Sequence, residues 1–113
     1  MPQFLITVMR PDDFDASTAV DADMGRDIQA LNDEMRAAGV RVFVGGLKSP
    51  GETKSLVAEA DGTVAAQDGP LQPSGNHIDG PWVLELPDLD TAVEWGRKSA
   101  RACRAQVEVR PFH

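Results

Sequence analysis

Four side chains carry the chemistry this 113-residue sequence could do: Asp68, His77, Arg10 and Cys103. Asp68 follows a short strand pattern and precedes Gly69-Pro70. An aspartate there can cap its own turn by accepting backbone N–H groups. It can equally stand as a carboxylate at a cleft mouth, as general base or ligand anchor once desolvation tunes it. His77 lies further along the same glycine-flanked loop. It reads either as a solvated loop histidine or as the proton-transfer partner of Asp68, since imidazole titrates near neutral pH. Arg10 closes the first strand pattern, where it could hold an anionic ligand or pair with the acidic loop that follows. Cys103 sits between Ala102 and Arg104 near the end of a helical pattern. A buried thiol and a nucleophile are both readings of that position, and no histidine lies close in sequence to activate it.

Other chemistries find little support. His77 and Asp79 make two candidate metal ligands, whereas a protein zinc site takes three or four. No phosphate loop, dinucleotide fingerprint or Gly-x-Ser-x-Gly elbow occurs, and Gly45-Gly46 alone does not make a nucleotide site. The expectation is no metal and no cofactor. With 18 acidic against 11 basic residues the chain carries a net charge of -7. That disfavours binding to a phosphate backbone or an anionic membrane surface. One cysteine permits no internal disulfide. The opening Met1–Met9 stretch is apolar but short and soon meets Asp12 and Asp13, so it reads as a strand and not as a signal or spanning segment. A cytoplasmic protein is the expectation.

The elements that must position these residues follow from hydrophobic period. Gln3 to Met9 reads as a central strand, ended by Pro11. Met24, Ile28, Leu31, Met35 and Ala38 recur at helical spacing and share one stripe. Thr18 with Asp21 resembles a capping box, and Gly39 stands where a helix-ending glycine belongs. Val40 to Val44 is a second strand with Val40, Val42 and Val44 on one face, and Gly45-Gly46 allows a bulge or close backbone approach. Lys54–Ala58 and Thr63–Gln67 are short strands joined at Asp61-Gly62, a type I′ hairpin signal. Residues 69–80 look like loop. Trp82, Leu84 and Leu86 alternate as another strand, Asp88 caps a helix whose inner face carries Leu89, Ala92, Val93, Gly96 and Ala100, and Gln106–Arg110 is the last strand. Gly96 could let a neighbouring element pack closely.

The order β-α-β-(hairpin)-β-α-β predicts one α+β domain over residues 1–113. It is the ferredoxin-like, split βαβ pattern, an antiparallel sheet with two helices on one face and an inserted β-hairpin. Phe4, Phe43 and Trp82 cannot all point into the helix layer. A second subunit stacked on the opposite face would cover what remains, so a homodimer is expected. Trp82 and Trp95 then belong to the core or that interface, and His113 is a terminal residue.

Several signatures now stand together: Leu31-Asn32-Asp33-Glu34-Met35-Arg36-Ala37-Ala38-Gly39-Val40, Gly45-Gly46-Leu47, Asp68-Gly69-Pro70-Leu71, the run from Trp82 to Trp95, and Val107-Glu108-Val109-Arg110-Pro111. In this order they resemble the YCII-related proteins, and within them the branch named for an Asp-Gly-Pro-Phe (DGPF) motif. The resemblance implies a ferredoxin-like subunit pairing sheet to sheet as a dimeric α+β barrel. It also implies a family in which a His–Asp pair has been proposed as catalytic. Asp68 is the position carried over directly. Leu71 stands in place of the motif's Phe. Pro73-Ser74-Gly75-Asn76 replaces a usual Glu-x-Lys-Glu run, and Ile28 occupies a position that often carries histidine. Two functions stay open. One is a non-catalytic accessory or small-ligand-binding dimer, with a regulatory role conceivable. The other is a cofactor-free enzyme for isomerisation, elimination or dehalogenation of a small organic acid or lactone, with Asp68 and His77 as base and acid and Arg10 holding a carboxylate.

Overall fold

The structure is a computed structural model that describes residues 1–71 and 74–113. Its elements run β1 (Gln3–Pro11), α1 (Ala16–Ala19), α2 (Ala22–Ala38), β2 (Arg41–Val44), β3 (Lys54–Ala58), β4 (Val64–Asp68), β5 (Asn76–Glu85), α3 (Leu89–Cys103) and β6 (Gln106–Pro111), with one 3-10 turn at Pro50–Glu52. The fold is α+β. Four strands form an antiparallel sheet in the order β2-β5-β1-β6, and β3-β4 make a separate two-stranded sheet.

Alternation along β1 and β5 sends Phe4, Ile6, Val8, Trp82 and Leu84 to one face, where Leu31 and Met35 of α2 and Ala92, Ala102 and Cys103 of α3 close over them. Phe4 and Trp82 therefore both enter the helix layer, and Phe43 alone of the three lies on the other face, 57% exposed. Its row there runs through Val83 and Leu5, followed along the sheet by Thr7 with Pro81 and by Met9 with Ile78. Both long helices pack on the opposite side, so no helix covers that row, although Thr7 within it is buried and Leu47, Pro50 and Thr53 border a hollow with Met9 and Ile78 at its end. Gly96 is the point at which α3 meets β6: a Cβ there would lie 2.6 Å from Val109 Cγ2.

The helix ends are built from side chains. Asp21 caps α2 by accepting from Met24 N–H at 2.8 Å, so the Thr18–Asp21 box is replaced by Asp21 alone, and Thr18 belongs to α1. Gly39 closes α2 in the left-handed region at φ 71°, as its position predicts. Asp88 caps α3, accepting from Thr91 N–H and Oγ1, and those bonds hold its carboxyl below the usual carboxylate range. At the other end of α3 the left-handed residue is Arg104, whose Nη1 returns to the Ala102 carbonyl at 2.7 Å and pairs with Asp27.

Three details of strands and helix ends differ from the sequence pattern. A register irregularity between Arg41 and Phe43 breaks the alternation of β2, leaving Val42 half-exposed while Val40 and Val44 pack on the core. Ala38 and Leu89, the outermost members of the two helical stripes at the last residue of α2 and the first of α3, are exposed. The hairpin connection is longer than a type I′ turn. Gly62 N–H closes on the Glu59 carbonyl and Glu59 N–H on the Thr63 carbonyl, and only Gly62 has positive φ. The radius of gyration is 16.1 Å, against about 13 Å for a compact chain of this length. The hairpin, whose side chains are exposed apart from Ser55, accounts for that extension.

Candidate functional site

β5 starts at Asn76, well inside the stretch that reads as loop. Residues 72 and 73 of that stretch, including the Pro73 of the Pro73–Asn76 run, lie outside the described residues. The early start follows from β1, which continues to Pro11 and supplies a ladder partner as far as Asn76. The two strands do not match residue for residue. Val8 pairs with Gly80 and Met9 with Ile78, so Asp79 is the extra residue of a β-bulge. A bulge bends its strand and re-aims a side chain. Here the Asp79 carbonyl accepts from Leu47 N–H at 2.7 Å, and its carboxylate meets Arg10 Nε at 3.4 Å.

Arg10 is 5% exposed. Its Nη1 donates to the Cys103 carbonyl at 2.6 Å, and its guanidinium lies 4.2 Å from the centroid of the Phe14 ring. Arg10 is thus tied into the fold by α3, by the segment before α1 and by the bulge. Its ion partner is Asp79, a long way along the chain, and not the adjacent acidic loop. Nη2 has no hydrogen-bond partner among the described residues. Every fully buried side-chain nitrogen or oxygen has one, so Nη2 retains some exposure, and Arg10 borders a second hollow, beside Phe14 and Arg104, as well as the one it shares with Asp79.

A hollow of about 370 Å³ adjoins this pair. Val8, Ile28, Val44 and Trp82 give it apolar walls, Arg10, Asp79 and Asn32 give it polar groups, and Gly45-Gly46 forms part of its rim. Asn32 is held on both sides: Oδ1 accepts from Trp82 Nε1 at 3.0 Å and from Arg41 Nη1 at 3.3 Å, and one Nδ2 hydrogen donates to the Ile28 carbonyl. It therefore fixes the indole plane that forms one wall. The rim depends on Gly80, where any Cβ would collide with the Gly45 carbonyl oxygen. Close approach is what the Gly45-Gly46 pair predicts, and Gly80 is the glycine it needs on the other side. Cys103 also borders the hollow. Burial pushes its thiol above the ordinary value, the neighbouring Asp79 adds to this, and Arg10 and Arg104 offset only part of it. It is a protonated wall group and not a poised nucleophile.

The sequence candidates fall in different places. Asp68 ends β4 on the exposed hairpin, ion-paired with Lys54, and borders none of the hollows described here. An exposed pair of this kind contributes little to stability. His77 sits in β5 opposite Arg10, with its side chain 16% exposed, and its Nδ1 lies 3.0 Å from Asp12 Oδ1. A carboxylate only accepts, so Nδ1 carries the proton and the neutral ring keeps its free lone pair on Nε2. The structure thus gives His77 an aspartate partner, but it is Asp12 and not Asp68. Reading the sequence missed Asp12 in that role, and it missed Asn32 and the pairing of Asp79 with Arg10. The one available signal was Asp79-Gly80-Pro81, a bulge-prone run directly before a strand pattern. Among the described residues no group of three His, Cys, Asp or Glu lies together as a metal site, and no helix is long and apolar enough to cross a membrane.

No protein-family model matches the chain, and no curated protein matches it.

Proposed function

We propose that this protein is a small-ligand-binding module, non-catalytic and accessory in role, with its site in the hollow between α2 and the bulged end of the sheet. The observation that carries this reading is the convergence of Arg10, Asp79 and Asn32 on a cavity of about 370 Å³ with otherwise apolar walls. Ligand sites have this composition, and their volumes begin at roughly 300 Å³. The strand order β2-β5-β1-β6 and the row of Phe43, Val83, Leu5, Met9 and Ile78 support a ferredoxin-like subunit that pairs through its open sheet face. That is also the assembly the YCII resemblance implies.

A ligand that binds only the folded state raises stability by mass action. A thermal-shift screen of small neutral and charged ring compounds should therefore give hits whose effect disappears in Ile28→Phe, which fills the hollow from α2. Hits that survive Ile28→Phe unchanged would move the site elsewhere. A second reading has one observation of its own. Asp12 orients His77 so that Nε2 is the basic nitrogen, the arrangement a general base needs. His77 also borders a separate hollow of about 470 Å³ with Ser49 and Thr53. Cofactor-free acid–base turnover that is lost in both His77→Gln and Asp12→Asn would favour the enzyme over the binding module.

A further inference from the structure

The Arg10–Asp79 pair is set up in a way that selects among ligands. At 3.4 Å it is longer than the roughly 2.7–2.9 Å of a tight charge-assisted bond. It leaves two groups without a hydrogen-bond partner among the described residues: Arg10 Nη2, a donor, and Asp79 Oδ1, an acceptor. The Asp79 side chain is 37% exposed, and both residues border the hollow. The pair is also close to neutral as a unit. A carboxylate entering to meet Arg10 must lie beside the Asp79 carboxylate, and an ammonium entering to meet Asp79 must lie beside the guanidinium. Each ion would also lose water against the apolar walls of Val8, Ile28, Val44 and Trp82, and an imperfectly paired charge there is costly. A neutral group with an acceptor and a donor side by side meets neither penalty. Two other cations lie nearby, Arg41 with its Nη1 on Asn32 Oδ1 and Arg104 paired with Asp27, and neither borders the hollow.

Resting on the binding reading above, we propose that the hollow takes a small, mainly apolar molecule bearing a primary carboxamide, whose carbonyl accepts from Arg10 Nη2 and whose N–H donates to Asp79 Oδ1. Asp79 is then the residue that sets headgroup specificity. It suppresses the carboxylate binding that Arg10 alone would favour.

The test is a matched series on one ring, benzamide, benzoate, benzylamine and toluene, titrated into the intact protein by calorimetry with thermal shift in parallel. Benzamide should bind at least tenfold more tightly than the other three. In Asp79→Asn the guanidinium loses its counter-charge, so benzoate should gain and overtake benzamide. Wild-type preference for benzoate or benzylamine, or equal binding of all four, would overturn the carboxamide assignment and leave the cavity reading standing. Binding of none of the four, with no hit from the broader screen, would take down the cavity reading itself. If Asp79→Asn does not fold, the wild-type series still decides the headgroup. An unchanged preference in a folded Asp79→Asn would remove Asp79 from its role.

Discussion

The four-stranded sheet and the β3-β4 hairpin are both antiparallel ladders, and they are held together by different things. In the sheet Ile6 and Leu84 are fully buried beneath two helices, and each strand contributes to one core. In the hairpin Leu56, Val57 and Val64 are exposed, and the elements that stabilise it are local. They are the Glu59–Thr63 connection, the Asp61 bonds to Thr63 and Ser55 Oγ donating to the Gly69 carbonyl at 2.6 Å. A two-stranded hairpin alone is marginal in water. The ladder pattern therefore specifies geometry in both regions, while burial supplies the free energy in only one.

The sharpest way to break that comparison is a pair of equivalent truncations. Leu84→Ala empties a fully enclosed position and should cost about 2–5 kcal/mol in denaturant unfolding. Leu56→Ala removes a side chain 64% exposed and should change global stability by less than about 0.5 kcal/mol. A large loss from Leu56→Ala that depends on protein concentration would show the hairpin to be covered in an assembly, and the contrast would then belong to the isolated chain only. An effect between these two, on the order of 1–3 kcal/mol as for other overpacked sites, is expected from Gly80→Ala. Its Cβ meets backbone, the Gly45 carbonyl, so the loop must move. The diagnostic is loss of ligand-induced stabilisation well beyond the loss in folding, because the displaced Gly45-Gly46 segment is the rim of the hollow.

What could be read in the sequence divides along the same line. The Asp88 cap, the Gly39 stop, the apolar faces of α2 and α3 and the Asp61-Gly62 hairpin are set by neighbours within one turn, and spacing alone exposes them. The candidate site is assembled from contacts that spacing does not carry. Arg10 meets Asp79, and Asp12 meets His77, only because β1 and β5 pair antiparallel. The bulge at Asp79 exists only in relation to the register of the opposing strand. The same reason explains the misplaced side chains: Val42 and Asp79 both sit where a strand gains or skips a residue, and a period of two has no means of showing it. Asp68 drew notice as part of a motif, but its chemistry is decided by the exposed hairpin that carries it.

The gentlest probe of the comparison is acid. Asp61 accepts from Thr63 Oγ1 and Thr63 N–H, and these bonds hold its carboxyl below the ordinary value. A depressed folded pKa means that the contribution is fully present above the unfolded value near 3.9 and is lost as pH falls through the lower folded value. The hairpin connection should therefore loosen in that window. An acid titration followed at the Thr63 amide by NMR should show a step there, absent in Asp61→Ala. Fluorescence from Trp82 and Trp95 should show no step that Asp61→Ala removes, because neither indole lies on the hairpin. Asp88 titrates in the same acidic range, and its loss acts on α3 and hence on the core. A body response is thus expected in both proteins, and only the Asp61-dependent part is informative. Should that part reach the tryptophans, hairpin and body would unfold as one cooperative unit, and local bonds in the arm would be sharing in the stability of the core.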